Sequence, residues 1–523
     1  MTSTIQSNIS PYKNPLYLTP FELGGINLRP IDLLEHVLAT GGTGSGKTRS
    51  FVLPLLEKVL VRFGNEHESR AGMILIDAKG DMVKLAEQCV KRAGRSDEVY
   101  ILGENGNCWF ALFECLGGDP TSVADFLFET LEDRGPGAGM SRGSSNESFW
   151  EENARRLLRA GVTLAKSRHG MDLGGLPGIA LAINDIMAVQ TACTVQDDDD
   201  FSDKSPDTRH DQMVTEIADG IAKDRILKEE AATLMDYVKH DVCGGNKNTW
   251  ATISNMTRNY IEQFSKPALQ RLFQPDPKRQ RITPEDIIDK GILLIVNLSP
   301  VIYGEAAAPF RMVIKKLFCE QMLKRGHLCL MEDGEVRPIN QARPVLYVCD
   351  EFHTTLTARG HSADAFFLDR AREFRCMCVL ASQGISAIQS VLGNTDLCDH
   401  LLNNCRTKFF FANDCPQTSR YFEYIGGEED RVVESTTYQP RKAPPRFRLP
   451  NYSFSDVPDT VMTTHSMSSQ RLPRFSSSEL GSLPNGTALV VTKGRRLEKF
   501  TLDPANYALH PSTNEREKAE DLV

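Results

Sequence analysis

The sequence predicts an α/β fold with a mostly parallel central sheet, interrupted by an all-α segment. Three observations predict it. A glycine-rich turn, Gly41-Gly42-Thr43-Gly44-Ser45-Gly46-Lys47-Thr48, lies between a short apolar run and a helical stretch. Short β-branched runs then recur along the chain, most of them separated by segments with helical spacing. Between Phe126 and Phe264 the strand signal stops, and apolar residues recur at helical intervals instead.

The glycine turn fits the pattern G-x-x-x-x-G-K-[ST], which cradles phosphates. Glycines let the backbone curl so that successive N–H groups point inward at a polyphosphate. His36 to Thr40 reads as the strand entering the turn and Arg49 to Leu60 as the helix leaving it, its N-terminus aimed at the anion. Gly41, Gly42, Thr43, Gly44, Ser45, Gly46, Lys47, Thr48 and Arg49 are therefore the expected nucleotide contacts. Lys47 would reach the β- and γ-phosphates, and the Thr48 hydroxyl would hold Mg²⁺. ATP and Mg²⁺ are the expected ligands.

The expected central strands are Met73–Asp77, Val99–Leu102, Ile292–Leu298, Val345–Cys349, Met377–Ser382, Lys408–Ala412 and Ala488–Val491. Phe310 to Lys324 reads as a helix with Phe310, Val313, Ile314, Leu317 and Phe318 on one face. The all-α segment is expected to open at a capping box, Ser148-Phe149-Trp150-Glu151. The domain organisation expected is an N-terminal segment 1–34, a core in two parts (35–125 and 266–512), an all-α domain 126–265 and a charged tail 513–523. Gly135 to Asn146 reads as a flexible loop, and Asp197 to Asp200 as a solvated acidic loop rather than a metal site.

Bulk properties exclude some functions. A net charge of −9 rules out a wholly basic nucleic-acid binder, so any DNA contact must come from a local patch or a ring lumen. No apolar run is long enough to span a membrane, and Met1 to Pro20 lacks the apolar middle of a secretion signal. The expected location is the cytoplasm. The thirteen cysteines contain no C-x-x-C pair, and reduced thiols are expected. No metal site is expected beyond nucleotide-bound Mg²⁺.

The hydrolytic partner of the glycine turn is Val345-Leu346-Tyr347-Val348-Cys349-Asp350-Glu351, a buried-strand pattern ending in two carboxylates. Asp350 would hold Mg²⁺, and Glu351 would orient and activate the attacking water. That pairing favours RecA/AAA-like mechanical ATPases over small GTPases or kinases. Such enzymes work as rings in which an arginine from one subunit enters the neighbour's site. Asp369-Arg370-Ala371-Arg372-Glu373-Phe374-Arg375 supplies candidates, although a solvated helix face explains any single one equally well. The next strand ends in Ala381-Ser382-Gln383, where an amide can sense the γ-phosphate.

With these residues in view, the chain resembles the TraG/TraD-type coupling ATPases of conjugation and type IV secretion, within the FtsK/HerA group of hexameric DNA pumps. The resemblance rests on the glycine turn and on Phe51-Val52-Leu53-Pro54-Leu55-Leu56, whose proline bare helix physics would disfavour. It rests also on Ile76-Asp77-Ala78-Lys79-Gly80-Asp81, on Asp350-Glu351-Phe352, and on Ala371-Arg372-Glu373-Phe374 followed by Gln383. It covers about residues 25–130 and 265–495. It implies a RecA-like P-loop core, Arg372 as the finger acting in trans, and Gln383 as the γ-phosphate sensor.

Three features depart from the family pattern: the N-terminal transmembrane pair is missing, Asn107 to Leu112 lacks an Asn-Pro pair, and Leu330 to Arg343 reads as an extra loop. The function implied is ATP-driven movement of DNA, with a relaxase or secreted protein as cargo, toward type IV secretion membrane components. The assembly implied is a homo-hexamer holding DNA in its lumen without sequence preference, peripheral to the inner membrane. Pro275 to Arg281 and Arg441 to Arg448 are the basic stretches that could meet phosphates; a plain solvated loop explains either at least as well. Two other readings stay open, a HerA-like translocase in defence or DNA processing and a protein-docking receptor that uses ATP as an assembly switch.

Overall fold

The computed structural model describes residues 13–64, 70–116, 118–132, 145–196, 208–261, 267–325, 329–332, 335–338, 343–440, 461–492 and 496–504. The loop expected before Asn146, the acidic run Asp197–Asp200, the basic stretch Arg441–Arg448 and the charged tail lie outside the described residues.

The strands that matter are β1 (Val37–Thr40), β2 (Gly72–Asp77), β3 (Val99–Gly103), β4 (Leu293–Asn297), β5 (Val345–Cys349), β6 (Cys376–Ser382), β7 (Thr407–Phe411), β8 (Glu428–Pro440), β9 (Val461–Pro473), β10 (Thr487–Thr492) and β11 (Arg496–Thr501). Nine of them form one sheet in the order β11-β10-β7-β1-β6-β5-β2-β4-β3. From β7 to β3 all pairings are parallel. Nearly every side chain in the five middle strands is buried on both faces, as continuous β-branched runs require.

Ala488–Val491 was expected among the parallel strands; β10 instead runs antiparallel to β7, and β11 antiparallel to β10. The short segment between β10 and β11 allows only a hairpin, because a parallel return needs a crossover of a dozen or more residues.

The helices are α1 (Leu53–Arg62), α2 (Val83–Arg92), α3 (Pro120–Glu132), α4 (Ser145–His169), α5 (Gly175–Gln196), α6 (Thr208–Ala222), α7 (Lys228–Asp236), α8 (Lys247–Ile261), α9 (Pro267–Phe273), α10 (Ala307–Lys324), α11 (Asp364–Ala371) and α12 (Pro416–Gly426). Among the described residues no strand occurs from α3 to α9. The apolar residues of these helices join one face of the sheet in a single buried cluster, in which Leu157, Leu164, Ile183 and Leu234 are continuous with Leu294, Val296 and Tyr347. The opposite face is covered by α1, α2 and the N-terminal segment through Tyr17, Leu28, Leu56 and Cys89.

Several local expectations are corrected. α4 starts at Ser145, so Ser148 lies within its first turn rather than capping it. α10 is not one-faced: Arg311, Lys315, Lys316 and Glu320 are buried along with its apolar residues. Their charges are met inside, Lys315 by Asp364 and Lys316 by Glu129 at 3.2 Å. The stretch read as an extra loop contains a short hairpin, Cys329–Glu332 with Glu335–Pro338. Nine described cysteines are free thiols, but Cys243 is disulfide-bonded. Such pairing depends on the tertiary approach of two chain segments, which spacing along the sequence does not reveal. No described helix is long and apolar enough to cross a membrane.

Candidate nucleotide site

The glycine turn follows β1 at the C-terminal edge of the sheet. It is fixed from outside itself: Gly42 N–H donates to Ala412 O at 2.8 Å, and Gly486 N–H donates to Ser45 O at 3.0 Å. Gly44 and Gly46 adopt φ of +77° and +94°, the left-handed region that side chains disfavour. The chain leaves the turn as a wide helical turn over Lys47–Val52 before α1 begins. This accounts for Pro54. It sits at the start of the α-helical segment, where the proline ring meets no established helix upstream.

β5 lies two strands from β1, with β6 between them. Asp350 and Glu351 emerge at the C-terminal end of β5, and Gln383 follows the end of β6. Gly41 N–H donates to Ser382 O at 3.3 Å, so the glycine turn and the Gln383 loop adjoin directly. Asn413 donates to Gln383 O at 2.7 Å, leaving the exposed Gln383 amide side chain outside that contact.

Electrostatics tie the acidic pair to the turn. The Lys47 ammonium donates to Gly41 O at 2.5 Å and Gly42 O at 3.0 Å. Burial lowers its pKa, while Glu351 and Asp350 pull the other way. Burial, reinforced by Glu351 and Asp77, pushes the Asp350 carboxyl up to about 6. Glu351 behaves differently. Burial would raise it, but the Lys79 ammonium at 2.5 Å holds it below the usual range. His353 approaches the same carboxylate at 3.6 Å and Ser382 Oγ at 3.3 Å. Glu351 itself is held at φ +48°, a left-handed conformation rare outside glycine.

Lys79 is aimed by Asp77. That buried carboxylate accepts from the backbone N–H groups of Lys79 (3.0 Å), Gly80 (2.8 Å) and Met82 (2.8 Å), which locks the turn after β2.

The residues present suit a nucleotide with Mg²⁺. Among the described residues, the buried Thr40 Oγ1, Ser45 Oγ and Glu351 Oε2 have no hydrogen-bond partner within the chain. Together with the raised Asp350 carboxyl, these unmet groups mark a place for phosphate oxygens and a hydrated cation. Thr48 and Asp350 are the residues that would hold the metal.

Arg372 is not brought to this site. It ends α11 just before β6, at the N-terminal edge of the sheet, and pairs with Glu35 at 3.0 Å. The length of β6, about 20 Å or more at strand rise, separates it from Gln383. Arg49 is exposed beside the turn. Sequence reasoning missed four contributors: Lys79 as a partner of Glu351, His353, Asn413, and the Asn485-Gly486 turn against Gly46. Only the last carries a sequence signal, an Asn-Gly turn dipeptide.

A glycine turn after β1, an acidic pair after β5 and an intervening strand ending in Gln383 define a RecA-like P-loop nucleotide-binding protein. Within that class the family is shown by the sequence. A model of type IV secretory system conjugative DNA transfer proteins matches residues 3–496, and the chain belongs to that family. Solved structures agree on the fold. The unbound bacterial conjugative coupling protein TrwBΔN70 superposes with a TM-score of 0.55 at 16% identity, covering 93% of this chain and 88% of that one. Plasmid coupling protein TrwB in complex with ADP and Mg²⁺ gives 0.55 at 15% identity, over 93% and 88%. Its complex with the ATP analogue ADPNP gives 0.52 at 16% identity, over 92% and 89%. Curated protein sequences give no match.

Proposed function

We propose that this chain is an ATP-driven coupling motor of conjugative DNA transfer, working as a homo-hexamer around the DNA it moves. The observation that carries the reading is the convergence of Lys47, Asp350, Glu351 and Gln383 at one edge of the sheet, in a chain of the conjugative DNA transfer family. The solved TrwB complexes with ADP and Mg²⁺ and with ADPNP support ATP and Mg²⁺ as its ligands.

Bound Mg²⁺, held by Thr48 and Asp350, would neutralise charge on the β- and γ-phosphate oxygens. Lys47 binds the same oxygens. Glu351 takes the proton of the attacking water at its unengaged Oε2, and Gln383 reports the γ-phosphate through its amide. Arg372 completes the site of the neighbouring subunit, since its own site is out of reach; an arginine so placed is worth about 10³–10⁵ in rate. The helical segment 126–265 acts as a domain inserted between core parts 35–125 and 266–512. A relaxase or secreted protein, and membrane components of the secretion channel, are the partners.

The test is Glu351→Gln. It should abolish DNA-stimulated hydrolysis and leave ATP binding within about twofold, because the amide keeps shape and loses basicity. Stimulation by a protein partner but never by DNA would favour the docking-receptor reading instead.

A further inference from the structure

β8 and β9 form a two-stranded antiparallel ribbon of thirteen residue pairs, from Glu428 opposite Pro473 to Pro440 opposite Val461. At strand rise it is about 44 Å long. No other strand pairs with either edge. Every described side chain from Glu434 to Tyr438 and from Thr463 to Arg471 is exposed. An isolated two-stranded ribbon is marginal in water, and two open edges invite pairing. The register puts Val432, Tyr438 and Met467 on one face, 69%, 69% and 73% exposed. The same ribbon carries Glu428, Glu429, Asp430 and Glu434 against Arg431 and Arg471, an acidic balance that disfavours a phosphate backbone as its partner.

A complementary surface exists on the same chain. The short helix Pro300–Tyr303, after β4, exposes Val301 by 92% and Ile302 by 42%. Arg279 lies close enough to act on the Tyr303 hydroxyl, which places this apolar turn beside the basic stretch Pro275–Arg281. Around it Arg271, Lys278, Arg279 and Arg281 outnumber Glu104, Asp276 and Glu114. The two surfaces lie toward opposite ends of the sheet. The ribbon leaves between β7 and β10, near one edge, whereas Val301 follows β4, which borders the other edge strand, β3. Unlike patches at opposite ends of one molecule make a head-to-tail contact, the kind that closes rings.

We infer that the β8–β9 ribbon of one copy docks its Val432–Tyr438–Met467 face on the Val301–Ile302 turn of the next copy, with the ribbon's acids meeting the Pro275–Arg281 basic stretch. The inference rests on the ring reading above and supplies its contact. Helix α12 gives the arm a link to the nucleotide site. At its start, Cys415 donates to Ser386 Oγ at 3.1 Å and Thr418 accepts from Ile385 N–H at 3.0 Å, both within the loop that follows Gln383.

The test uses the full chain with Mg²⁺ and a non-hydrolysable ATP analogue, sized by sedimentation velocity. Val301→Asp and Met467→Asp replace exposed side chains, so neither threatens folding. Each alone should raise the midpoint concentration of assembly about tenfold or more, as loss of a central interface contact does. Mixed together they should form dimers and nothing larger, because each supplies the one intact surface the other needs. Wild-type assembly with both variants assembling normally would overturn the inference and leave the ring reading intact. A wild-type chain that stays monomeric with analogue and DNA would overturn both. Loss of DNA binding without loss of assembly in Met467→Asp would assign the ribbon to nucleic acid and overturn the inference.

Discussion

Gly46→Ala and Gly44→Ala probe how the glycine turn is held. Both glycines have positive φ, so alanine at either pays a left-handed backbone cost of about 1–2 kcal/mol. Their surroundings differ. A Cβ on Gly44 meets nothing within 4 Å, whereas one on Gly46 falls 2.7 Å from Gly486 N and 2.9 Å from Gly486 Cα. These are backbone atoms, so relief requires the turn before β10 to move, and overpacking of this kind costs about 1–3 kcal/mol more. Gly46→Ala should therefore destabilise the nucleotide-free chain by about 2–5 kcal/mol, against about 1–2 for Gly44→Ala. Urea unfolding of both variants measures the difference, with m expected unchanged. Equal losses would refute the reasoning, because they would mean that Gly486 does not press on the turn.

Three further outcomes follow from the same geometry. Lys79→Ala should lower kcat about ten- to a hundredfold with KM for ATP nearly unchanged, and Lys79→Arg should recover most of it, because the ammonium positions Glu351 rather than binding substrate; an equal rise in KM would contradict that. His36 is buried and neutral, its pKa lowered to about 4 by desolvation. Its share of stability is complete above the unfolded value of 6.5 and fades as pH falls toward 4, by about 3 kcal/mol in all. His36→Asn suits the positive φ, and its unfolding free energy measured from pH 7 to 4 should lack that fall relative to wild type. Burial would raise the Cys415 thiol, but hydrogen bonds from Ser386, from Thr418 and from backbone N–H groups hold it at about 7. Iodoacetamide should label it first among the described free thiols, with a rate half-maximal near pH 7; a rate still climbing at pH 9 would contradict this.

The core of the site was legible because its parts are local. The glycine turn, the apolar run ending in Asp350-Glu351 and the run ending in Gln383 each declare themselves within about ten residues. The described strands of the central sheet were legible for the same reason, save β11, whose Arg496-Leu497-Glu498-Lys499 reads as a polar segment. What was not legible depends on distant partners. Lys79 meets Glu351 across two strands that adjoin only in the folded sheet. The β8–β9 ribbon carries many Ser, Thr and charged residues with no apolar alternation, since neither face is buried within the chain. α10 read as one-faced because its buried lysines and arginine are charged, and only the structure reveals the Asp364 and Glu129 that accompany them.

The account stands or falls on whether this chain turns over ATP in response to DNA. Steady-state phosphate release by the full chain with Mg²⁺, titrated with single-stranded DNA of unrelated sequences, measures it most directly. The expected result is a saturable rise that is insensitive to sequence, weakens steeply with added salt and is absent in Glu351→Gln. Release that never exceeds background at any DNA or salt concentration, or that survives unchanged in Glu351→Gln, would contradict it.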